Sequence, residues 1–352
     1  MKRIERDNER KSWAVILGGG DGTRLQPLTR VISGDDRPKQ FCSMFGGRTL
    51  LDQTRHRVAL SVPEEQTLTL VTEHHKPFYT SLVKSNPGCR LLVQPTNKGT
   101  APAILLSLLK VRQLAPDSTV AFFPSDHHIT NDVRFMAHVE LAFSQADQNP
   151  SMIVLLGMEP ETPEVNYGWI QPEKPPSGPR SQTVLHVRAF WEKPDITMAR
   201  KLLSEGCLWN SFVMIGRTNA FIELIRRALP QLYRVLSEIA PALGTAEEAQ
   251  VLQHSYSLIE STNFSSEVLA LWPNYLLVSR VSGVGWSDLG EPERALSAIE
   301  RSGVDSLPLT GMETFNHRAS ISYLREYFER ISVSRRYERN EQAVRSIGAA
   351  GD

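Results

Sequence analysis

Short apolar runs alternate with longer amphipathic segments through the first half of the chain. Apolar runs bounded by polar residues, glycine or proline predict buried strands, and apolar positions three and four residues apart predict helices. The predicted strands are Trp13–Leu17, Thr67–Val71, Arg90–Val93, Thr119–Phe123 and Ser151–Leu156. The helices predicted between them are Thr49–Leu60, His74–Lys84, Thr100–Leu114 and Val133–Gln145. This alternation favours an α/β fold in which helices cover both faces of a mostly parallel sheet.

The second half of the chain has a less regular pattern. Segments rich in proline and charge predict loops at Glu159–Val165 and Pro172–Pro179. Further strands are predicted at Tyr167–Ile170, Val184–Trp191, Leu208–Gly216 and Tyr275–Val281, and the first two are expected to pair. Further helices are predicted at Ile196–Ser204, Asn219–Leu229, Leu232–Ile239 and Tyr323–Ile331.

We therefore expect one domain over residues 1–295 and a helical C-terminal extension over residues 296–352, because the chain is mostly charged helix from Glu291 onward. The sequence leaves open whether this extension packs on the domain or forms a homodimer contact.

Composition and charge exclude several classes of protein. The 39 basic and 39 acidic residues balance, so no overall field favours nucleic acid or an anionic membrane. The three cysteines show no metal or disulfide spacing, which fits a reducing compartment. The charged segment Met1–Lys11 is not a secretory signal, and no apolar run is long enough to span a bilayer. We expect a cytoplasmic protein without nucleic-acid or membrane partners.

A glycine loop follows the first predicted strand. It reads Gly18-Gly19-Gly20-Asp21-Gly22-Thr23-Arg24, and Arg37-Pro38-Lys39 comes after it. Glycines expose backbone N–H groups that suit a phosphate chain, and the basic side chains add cations. The third glycine of a dinucleotide fingerprint and the Gly-Lys-Ser/Thr of a P-loop are missing. A tight surface turn is the alternative, but a turn needs no cations.

The longer motif around this loop resembles the signature of sugar-phosphate nucleotidylyltransferases. It continues through Pro27-Leu28-Thr29 to Arg37-Pro38-Lys39-Gln40-Phe41, and this ending is similar to that of the mannose-1-phosphate guanylyltransferases (GDP-mannose pyrophosphorylases). The resemblance implies a Rossmann-like nucleotidyltransferase fold of the glycosyltransferase A-like type. It also implies an enzyme that transfers a nucleotidyl group from GTP to mannose 1-phosphate, or to a close sugar 1-phosphate, giving GDP-sugar and pyrophosphate.

The resemblance assigns roles to the residues of this first motif. Arg24 and Lys39 would hold the β- and γ-phosphates as pyrophosphate leaves. The nucleotide-binding residues of the loop would be Gly18, Gly19, Gly20, Gly22 and Thr23.

Two carboxylates are candidates for holding Mg²⁺. Asp126 follows a predicted buried strand, where Mg²⁺ is commonly held against phosphates, and Asp288 stands between Gly285 and Gly290. The alternatives are a turn or N-cap role for Asp126 and a helix cap for Asp288. Pro-Ser-Asp-His and Trp-Ser-Asp-x-Gly are similar to the family's two metal segments, which implies that the two aspartates share Mg²⁺. Zinc on His127 and His128 is disfavoured, since adjacent side chains of an extended segment point apart.

Three further motifs resemble the family's sugar-phosphate site. Phe190-Trp191-Glu192-Lys193-Pro194 implies that Glu192 accepts hydrogen bonds from sugar hydroxyls and that Lys193 holds the sugar phosphate. The alternative is an exposed strand ending. Trp209-Asn210-Ser211 implies that Asn210 faces the sugar, and Tyr167-Gly168-Trp169-Ile170 implies that Gly168 lets the sugar approach the backbone. Phe212 departs from the family, which has glycine there.

The segment from Gln94 to Ala103 resembles the family's Glu-Pro-x-x-Arg-Asn-Thr-Ala-Pro-Ala, which lies against the nucleoside. Gln94, Asn97 and Thr100 are its candidate nucleotide-binding residues, and Gly99 replaces the family's asparagine. A purely structural role, with Thr100 as a helix N-cap, is the alternative. We expect GTP to be preferred, with weakened discrimination between bases. The other possible functions are a relative that uses another sugar or base, or a non-catalytic nucleotide-sugar-binding protein.

Overall fold

The structure is a computed structural model that describes residues 12–85, 88–173, 184–304, 306–307, 319–328 and 330. The segment Met1–Lys11, most of the predicted loop Pro172–Pro179 and the end of the predicted helix Tyr323–Ile331 lie outside the described residues. No helix within the described ranges is long and apolar enough to cross a membrane. The cytoplasmic location stays a prediction.

The described residues form short strands and helices in alternation. The strands are β1 (Ser12–Leu17), β2 (Thr67–Thr72), β3 (Arg90–Gln94), β4 (Thr119–Pro124), β5 (His128–Ile129), β6 (Ile153–Met158), β7 (Gly168–Pro172), β8 (Val184–Glu192), β9 (Leu208–Arg217), β10 (Leu276–Val281), β11 (Trp286–Ser287), β12 (Ser306–Leu307) and β13 (Ala319–Ser320). The helices are α1 (Gln26–Ser33), α2 (Leu50–Val58), α3 (Lys76–Ser85), α4 (Thr100–Leu114), α5 (Asp132–Gln148), α6 (Ile196–Ser204), α7 (Thr218–Ala228), α8 (Pro230–Ser237), α9 (Glu248–Ser257) and α10 (Pro292–Arg301), and residues 321–328 are also helical. Single 3₁₀ turns cover Thr23–Leu25, Lys39–Phe41, Glu64–Gln66, Glu73–His75, Ala240–Ala242 and Pro273–Tyr275, and a π-helical turn covers Ser265–Leu269.

The chain divides into two compact units. The first contains the described residues of Met1–Asp21 and Leu51–Trp286, and the second those of Gly22–Leu50 and Ser287–Asp352. This division differs from the predicted domains, since the expected boundary after residue 295 falls inside α10. The second unit also includes a segment near the start of the chain, which the predicted boundary assigned to the first domain.

A nine-stranded mixed sheet organises the first unit. Its strand order is β3-β2-β1-β4-β9-β6-β10-β8-β7, and β7 also pairs with β9. Only β8 and β9 of these nine strands run antiparallel to the rest. The expected α/β fold is confirmed, and so is the predicted pairing of the strands that became β7 and β8.

The core of the first unit includes one helix that is buried nearly all round. Ten of the fifteen residues of α4 are buried, and the helix contacts β1, β2, α7 and α8. A helix with apolar residues on every side is expected in the interior of a protein, between other elements. The sequence predicted its bounds without error, because a glycine precedes it and its apolar run is long.

The second unit has an apolar core of its own. Most of its buried residues come from α1, α10, the short strand β12 and the helical residues 321–328, and β12 pairs antiparallel with β13. Leu28 of α1 and Leu296 of α10 are fully buried in this cluster. Segments that are distant in sequence therefore share one core, which is why a boundary drawn along the chain does not describe the unit.

We expect Leu296→Ala to lower the free energy of unfolding by about 2–5 kcal/mol, because it removes a fully buried side chain and leaves a cavity. Denaturant unfolding followed by circular dichroism measures the change. The matched control is Arg301→Ala, an exposed position of α10, for which a change within about 0.5 kcal/mol is expected. Equal unfolding midpoints for the two variants would contradict this core.

Candidate active site

The glycine loop begins where β1 ends, at the carboxyl edge of the sheet. Gly18 N–H donates to the carbonyl oxygen of Leu70 at 2.7 Å. A Cβ on Gly19 would lie 2.5 Å from Gln94 Nε2 and 3.0 Å from Thr72 Oγ1, which no side chain tolerates without displacement. Glycine at position 19 leaves room for polar side chains of β2 and β3 against the loop backbone, and a side chain there would displace the Gln94 amide.

A buried polar network holds this loop. The Thr72 hydroxyl donates to the Gly19 carbonyl oxygen at 2.9 Å, and Gln94 Nε2 donates to Thr72 Oγ1 at 2.9 Å. The Tyr256 hydroxyl donates to Gln94 Oε1 at 3.3 Å, and burial raises the pKa of Tyr256. Both polar ends of the Gln94 amide thus bind protein groups. Its contact with a nucleotide stays a prediction, and the structure shows that it also positions the loop.

Asp21 is the last residue of the glycine loop that belongs to the first unit, and three side chains contact its carboxylate. Its Oδ1 lies 2.8 Å from His74 Nε2 and 3.1 Å from His75 Nε2, and its Oδ2 accepts a hydrogen bond from Asn97 Nδ2 at 3.0 Å. Burial opposes ionisation of Asp21, but the hydrogen bonds from Asn97 and His74 outweigh it and lower the pKa of this carboxyl. Sequence reasoning missed this cluster, because its members lie far apart along the chain.

Gly99 explains one departure from the family motif. It adopts φ +87°, and a Cβ there would lie 2.4 Å from the carbonyl oxygen of Thr262. An asparagine cannot occupy this position in the present backbone. Gly99 is also the N-cap of α4, so the structure does not bear out the alternative that Thr100 is the cap. The Thr100 hydroxyl instead accepts the Phe264 N–H at 2.8 Å.

Three predicted sugar-site residues converge in the first unit. Gly168 of β7 lies opposite Glu192 of β8, and a Cβ on Gly168 would lie 3.0 Å from Glu192 Oε2 and 3.3 Å from Asn210 Cβ. Asn210 lies opposite Gly157, near the carboxyl end of β6. The structure therefore brings Gly168, Glu192 and Asn210 together, and a side chain at position 168 would be crowded by both of them and by Phe190, whose Cζ would lie 2.9 Å from its Cβ.

Glu192 is the titratable group of this cluster. Its Oε1 lies 4.0 Å from Lys193 Nζ, and its side chain is about four-fifths buried. Burial raises the pKa of Glu192, although the charge of Lys193 acts in the opposite direction. The Lys193 side chain is more exposed, so its ammonium group is accessible to an anion. The pair offers a hydrogen-bond acceptor for hydroxyl groups beside a cation for a phosphate.

Asp126 lies in the turn between β4 and β5 of the same unit. Its carboxylate is 3.9 Å from His127 Nε2, and the Nδ1 of His127 lies 3.2 Å from Trp286 Nε1. Trp286 in turn packs against Tyr167, with ring centroids 5.2 Å apart. A continuous set of contacts therefore links the segment of Asp126 to the residue before Gly168. The N-cap of α5 is Asn131, so Asp126 has no capping role there.

The second unit carries the other predicted residues: Gly22, Thr23, Arg24, Lys39 and Asp288. Lys39 is buried, and its Nζ donates to the carbonyl oxygen of Asp288 at 2.5 Å. Asp288 Oδ1 accepts the Gly290 N–H at 2.9 Å and lies 3.6 Å from Arg294 Nε. The structure thus places Lys39 beside the backbone of the Asp288 segment, as two members of one predicted site.

The start of α10 lies next to this segment in the second unit. Exposed Arg24 pairs with Glu291 at 3.2 Å, from Nη1 to Oε1. Glu291 is the N-cap of α10, so the alternative that Asp288 caps this helix is wrong. Arg24 is held at the surface by an exposed carboxylate, and it can exchange that partner for a phosphate at little cost.

Backbone strain accompanies the predicted site residues. Among the described residues, the non-glycine positions with positive φ are Lys193 (47°), Phe212 (59°) and Leu289 (49°). Each conformation costs about 1–3 kcal/mol, and such strain concentrates at functional sites. Lys193 is itself a predicted residue, Phe212 is two residues from Asn210, and Leu289 follows Asp288. The left-handed φ of Phe212 also fits the glycine that the family has at that position.

Comparisons with known proteins found a matching family model and several relatives. A protein-family model described as "Nucleotidyl transferase" matches residues 13–302. "Xanthan biosynthesis protein XanB" of Xanthomonas campestris pv. campestris (strain B100) is 29% identical over 299 residues, which cover 82% of this chain and 60% of that protein. "Mannose-1-phosphate guanylyltransferase" of Escherichia coli (strain K12) is 26% identical over 323 residues, which cover 89% and 65%. The chain thus spans less than two thirds of the length of these relatives.

Solved structures show the same fold. The crystal structure of "mannose-1-phosphate geranyltransferase" from Thermus thermophilus has a TM-score of 0.68 and 28% sequence identity, with 80% of this chain and 76% of that chain covered. The structure of UDP-glucose pyrophosphorylase complexed with UDP-glucose has a TM-score of 0.52 at 15% identity and covers 82% and 97%, which shows a likeness of fold alone.

The raised pKa of Glu192 predicts a pH-dependent effect of Glu192→Gln on stability. A carboxyl whose pKa is raised on folding stabilises the folded state below its ordinary pKa of 4.5, and this contribution is lost as the pH rises through the folded-state pKa. Glutamine lacks this titration. We therefore expect the Tm of Glu192→Gln to rise relative to the unsubstituted protein as the pH goes from acidic to neutral. Glu238→Gln, at an exposed glutamate of the same unit, is the control. Identical pH profiles for both variants would contradict the expectation.

Proposed function

The chain belongs to the nucleotidyl transferase family, and on that premise we propose that it transfers a guanylyl group from GTP to mannose 1-phosphate or a close sugar 1-phosphate. The observation that carries the sugar-phosphate half of this proposal is the convergence of Gly168, Glu192 and Asn210 beside Lys193. The choice of mannose and of guanine is supported by the name of the Escherichia coli relative and by the Pro-Lys-Gln-Phe motif.

The proposed reaction needs no nucleophilic side chain. A phosphate oxygen of the sugar 1-phosphate attacks the α-phosphorus of the triphosphate, the bond from that phosphorus to the bridging oxygen of the β-phosphate breaks, and pyrophosphate leaves with its electron pair. The protein therefore contributes orientation and neutralisation of charge. Lys193 binds and aims the sugar phosphate, Glu192 accepts hydrogen bonds from sugar hydroxyls, and Asn210, whose Oδ1 accepts the Phe212 N–H, faces the sugar.

The leaving group requires a second set of charges. We assign Arg24 and Lys39 to the β- and γ-phosphates, as the family motif implies. In the structure the Lys39 ammonium contacts the backbone carbonyl oxygens of Asp288 and Leu289, so it would have to exchange at least one of these partners for a phosphate oxygen. The loop from Gly18 to Thr23 would bind the phosphates through its backbone N–H groups.

Carboxylates fit Mg²⁺, because hard oxygen donors are the ligands that this ion prefers. Asp126 has a partly exposed carboxylate in a turn, and one oxygen of Asp288 accepts the Gly290 N–H. We assign both to Mg²⁺, which when bound would neutralise charge on the reacting phosphates. The two aspartates belong to different units, and their pairing rests on the family motifs alone.

Base selection is the part of the proposal that departs most from the family. Gly99 offers backbone groups only, while Asn97 donates to Asp21 and accepts from the Gly99 N–H. The Asn97 amide, which was expected to contact the base, therefore already makes two hydrogen bonds within the protein. Weaker discrimination between GTP and other purine nucleotides follows. The homodimer stays a prediction.

A matrix of nucleoside triphosphates against sugar 1-phosphates, with Mg²⁺ and with pyrophosphate as the readout, tests the proposed function. We expect the highest kcat/KM for GTP with mannose 1-phosphate or a close sugar phosphate, and measurable turnover with ITP or ATP. A preference for UTP or dTTP would replace the guanylyl assignment. Binding of GDP-sugar without pyrophosphate release from any pair would favour a non-catalytic nucleotide-sugar-binding protein.

Lys193→Ala tests the sugar-phosphate assignment. Loss of a charge-assisted hydrogen bond to a phosphate costs about 1.5–3 kcal/mol, so we expect KM for the sugar phosphate to rise roughly tenfold or more and KM for GTP to change little. Lys201→Ala, at an exposed lysine of α6, is the matched control and is expected to leave both values unchanged. An unchanged KM for the sugar phosphate in Lys193→Ala would remove Lys193 from the site.

A further inference from the structure

A second cluster of ligating side chains lies in the first unit, and none of these side chains is assigned a role in the proposed reaction. Asp21 Oδ1, His74 Nε2 and His75 Nε2 all lie within 4.8 Å of one another. Each histidine nitrogen lies close to the same carboxylate oxygen, at 2.8 and 3.1 Å. We propose that Asp21, His74 and His75 form a binding site for a transition-metal dication such as Zn²⁺, separate from the Mg²⁺ of the reaction.

The donor set selects the type of metal. Two imidazole nitrogens and one carboxylate oxygen suit Zn²⁺ and its neighbours in the first transition row, whereas Mg²⁺ prefers oxygen ligands alone. Ligand atoms around tetrahedral zinc are separated by about 3.3 Å, given metal–ligand distances of about 2.0–2.1 Å. The separations of 2.8 and 3.1 Å from Asp21 Oδ1 are close to this value, and the two histidine nitrogens lie within 4.8 Å of each other, so adjustment of the side chains would bring all three donors around one ion.

The ligands differ in exposure in a way that fits an accessible three-ligand site. The His75 side chain is 2% exposed and lies in the 3₁₀ turn before α3, whereas the His74 side chain is 57% exposed. The buried imidazole supplies a fixed ligand, and the exposed one leaves a path for the ion and room for water as a further ligand. Three protein ligands with an open position are typical of zinc sites that are not purely structural.

A hydrogen-bonded outer layer orients the carboxylate. Asn97 Nδ2 donates to Asp21 Oδ2, the oxygen that the histidines do not contact, and Asn97 Oδ1 accepts the Gly99 N–H at 3.0 Å. Carboxylates that bind metal ions are commonly held by such second hydrogen bonds, which improve affinity. Asp21 therefore presents one oxygen to the histidines while the other is fixed by the segment that precedes α4.

Metal binding to the full chain, without a histidine tag or substrates and in a large excess of Mg²⁺, tests the proposal. Calorimetry with Zn²⁺ gives the stoichiometry and affinity, and Co²⁺ gives a visible absorption spectrum that reports nitrogen and oxygen ligands. We expect one Zn²⁺ per chain, competition between Co²⁺ and Zn²⁺, and affinity at least tenfold weaker in His74→Ala and in Asp21→Asn. Because His74 is exposed, its removal is expected to leave the fold intact, which thermal unfolding of the variant without metal checks.

The matched control is His254→Ala, at an exposed histidine of α9 in the same unit, which is expected to bind Zn²⁺ as the unsubstituted protein does. Absence of Zn²⁺ binding would overturn the proposal and leave a hydrogen-bonded cluster. Equal affinity in His74→Ala and His254→Ala would also overturn it, by placing the ion elsewhere. Neither result depends on the nucleotidyl transfer reaction, so the two proposals can fail separately.

Discussion

The hydrogen bond from the Thr72 hydroxyl to the Gly19 carbonyl oxygen is the contact on which the arrangement of the glycine loop depends. It joins the loop to the end of β2, and Gln94 and Tyr256 continue it into the interior as a chain of buried hydrogen bonds. Buried polar groups of this kind are costly when unpaired, so each member fixes the orientation of the next. Because Gly19 has no side chain, the Gln94 amide and the Thr72 hydroxyl have room beside the loop backbone.

The same principle recurs at the predicted sugar site. Gly168 leaves room for both Glu192 and Asn210 beside β7, and the strained residues Lys193 and Phe212 follow these two closely in the chain. Strain of this kind persists only where the surrounding structure compensates for it. Strands β8 and β9, which pair with β7 on either side of Gly168, hold these residues in place.

The local pattern of apolar and polar residues predicted most strands and helices of the first unit. Long apolar runs with clear ends, such as α4 and β4, were placed within a residue, because burial on all sides leaves little ambiguity. The helices α1 and α9 were missed. Helix α1 directly follows the glycine motif, and in α9 only Leu252, Ser255 and Tyr256 are buried. The core shared by residues 22–50 and the C-terminal segment depends on contacts between distant parts of the chain, which periodicity does not report. The residues of the candidate site also differ in how far the sequence could predict them. Gly168 was found through a family motif. The cluster around Asp21 belongs to no motif, since His74 lies 53 positions after Asp21 in the chain.

Gly99 limits which substitutions this segment can accept. The backbone of Thr262 is hydrogen-bonded on both sides, since the Thr262 N–H donates to the carbonyl oxygen of Lys98 and the Thr262 carbonyl oxygen accepts from the Ala101 N–H. A mutation that introduces the family's asparagine at position 99 would collide with this backbone, and no change of the Thr262 side chain could relieve the collision. Asparagine could enter only after the main chain around residue 262 had moved. A change that moves the main chain near residue 262 must therefore come before a replacement of Gly99 by asparagine. A single substitution at position 99 cannot give this chain the nucleoside segment of the wider family, because the Thr262 main chain blocks the side chain.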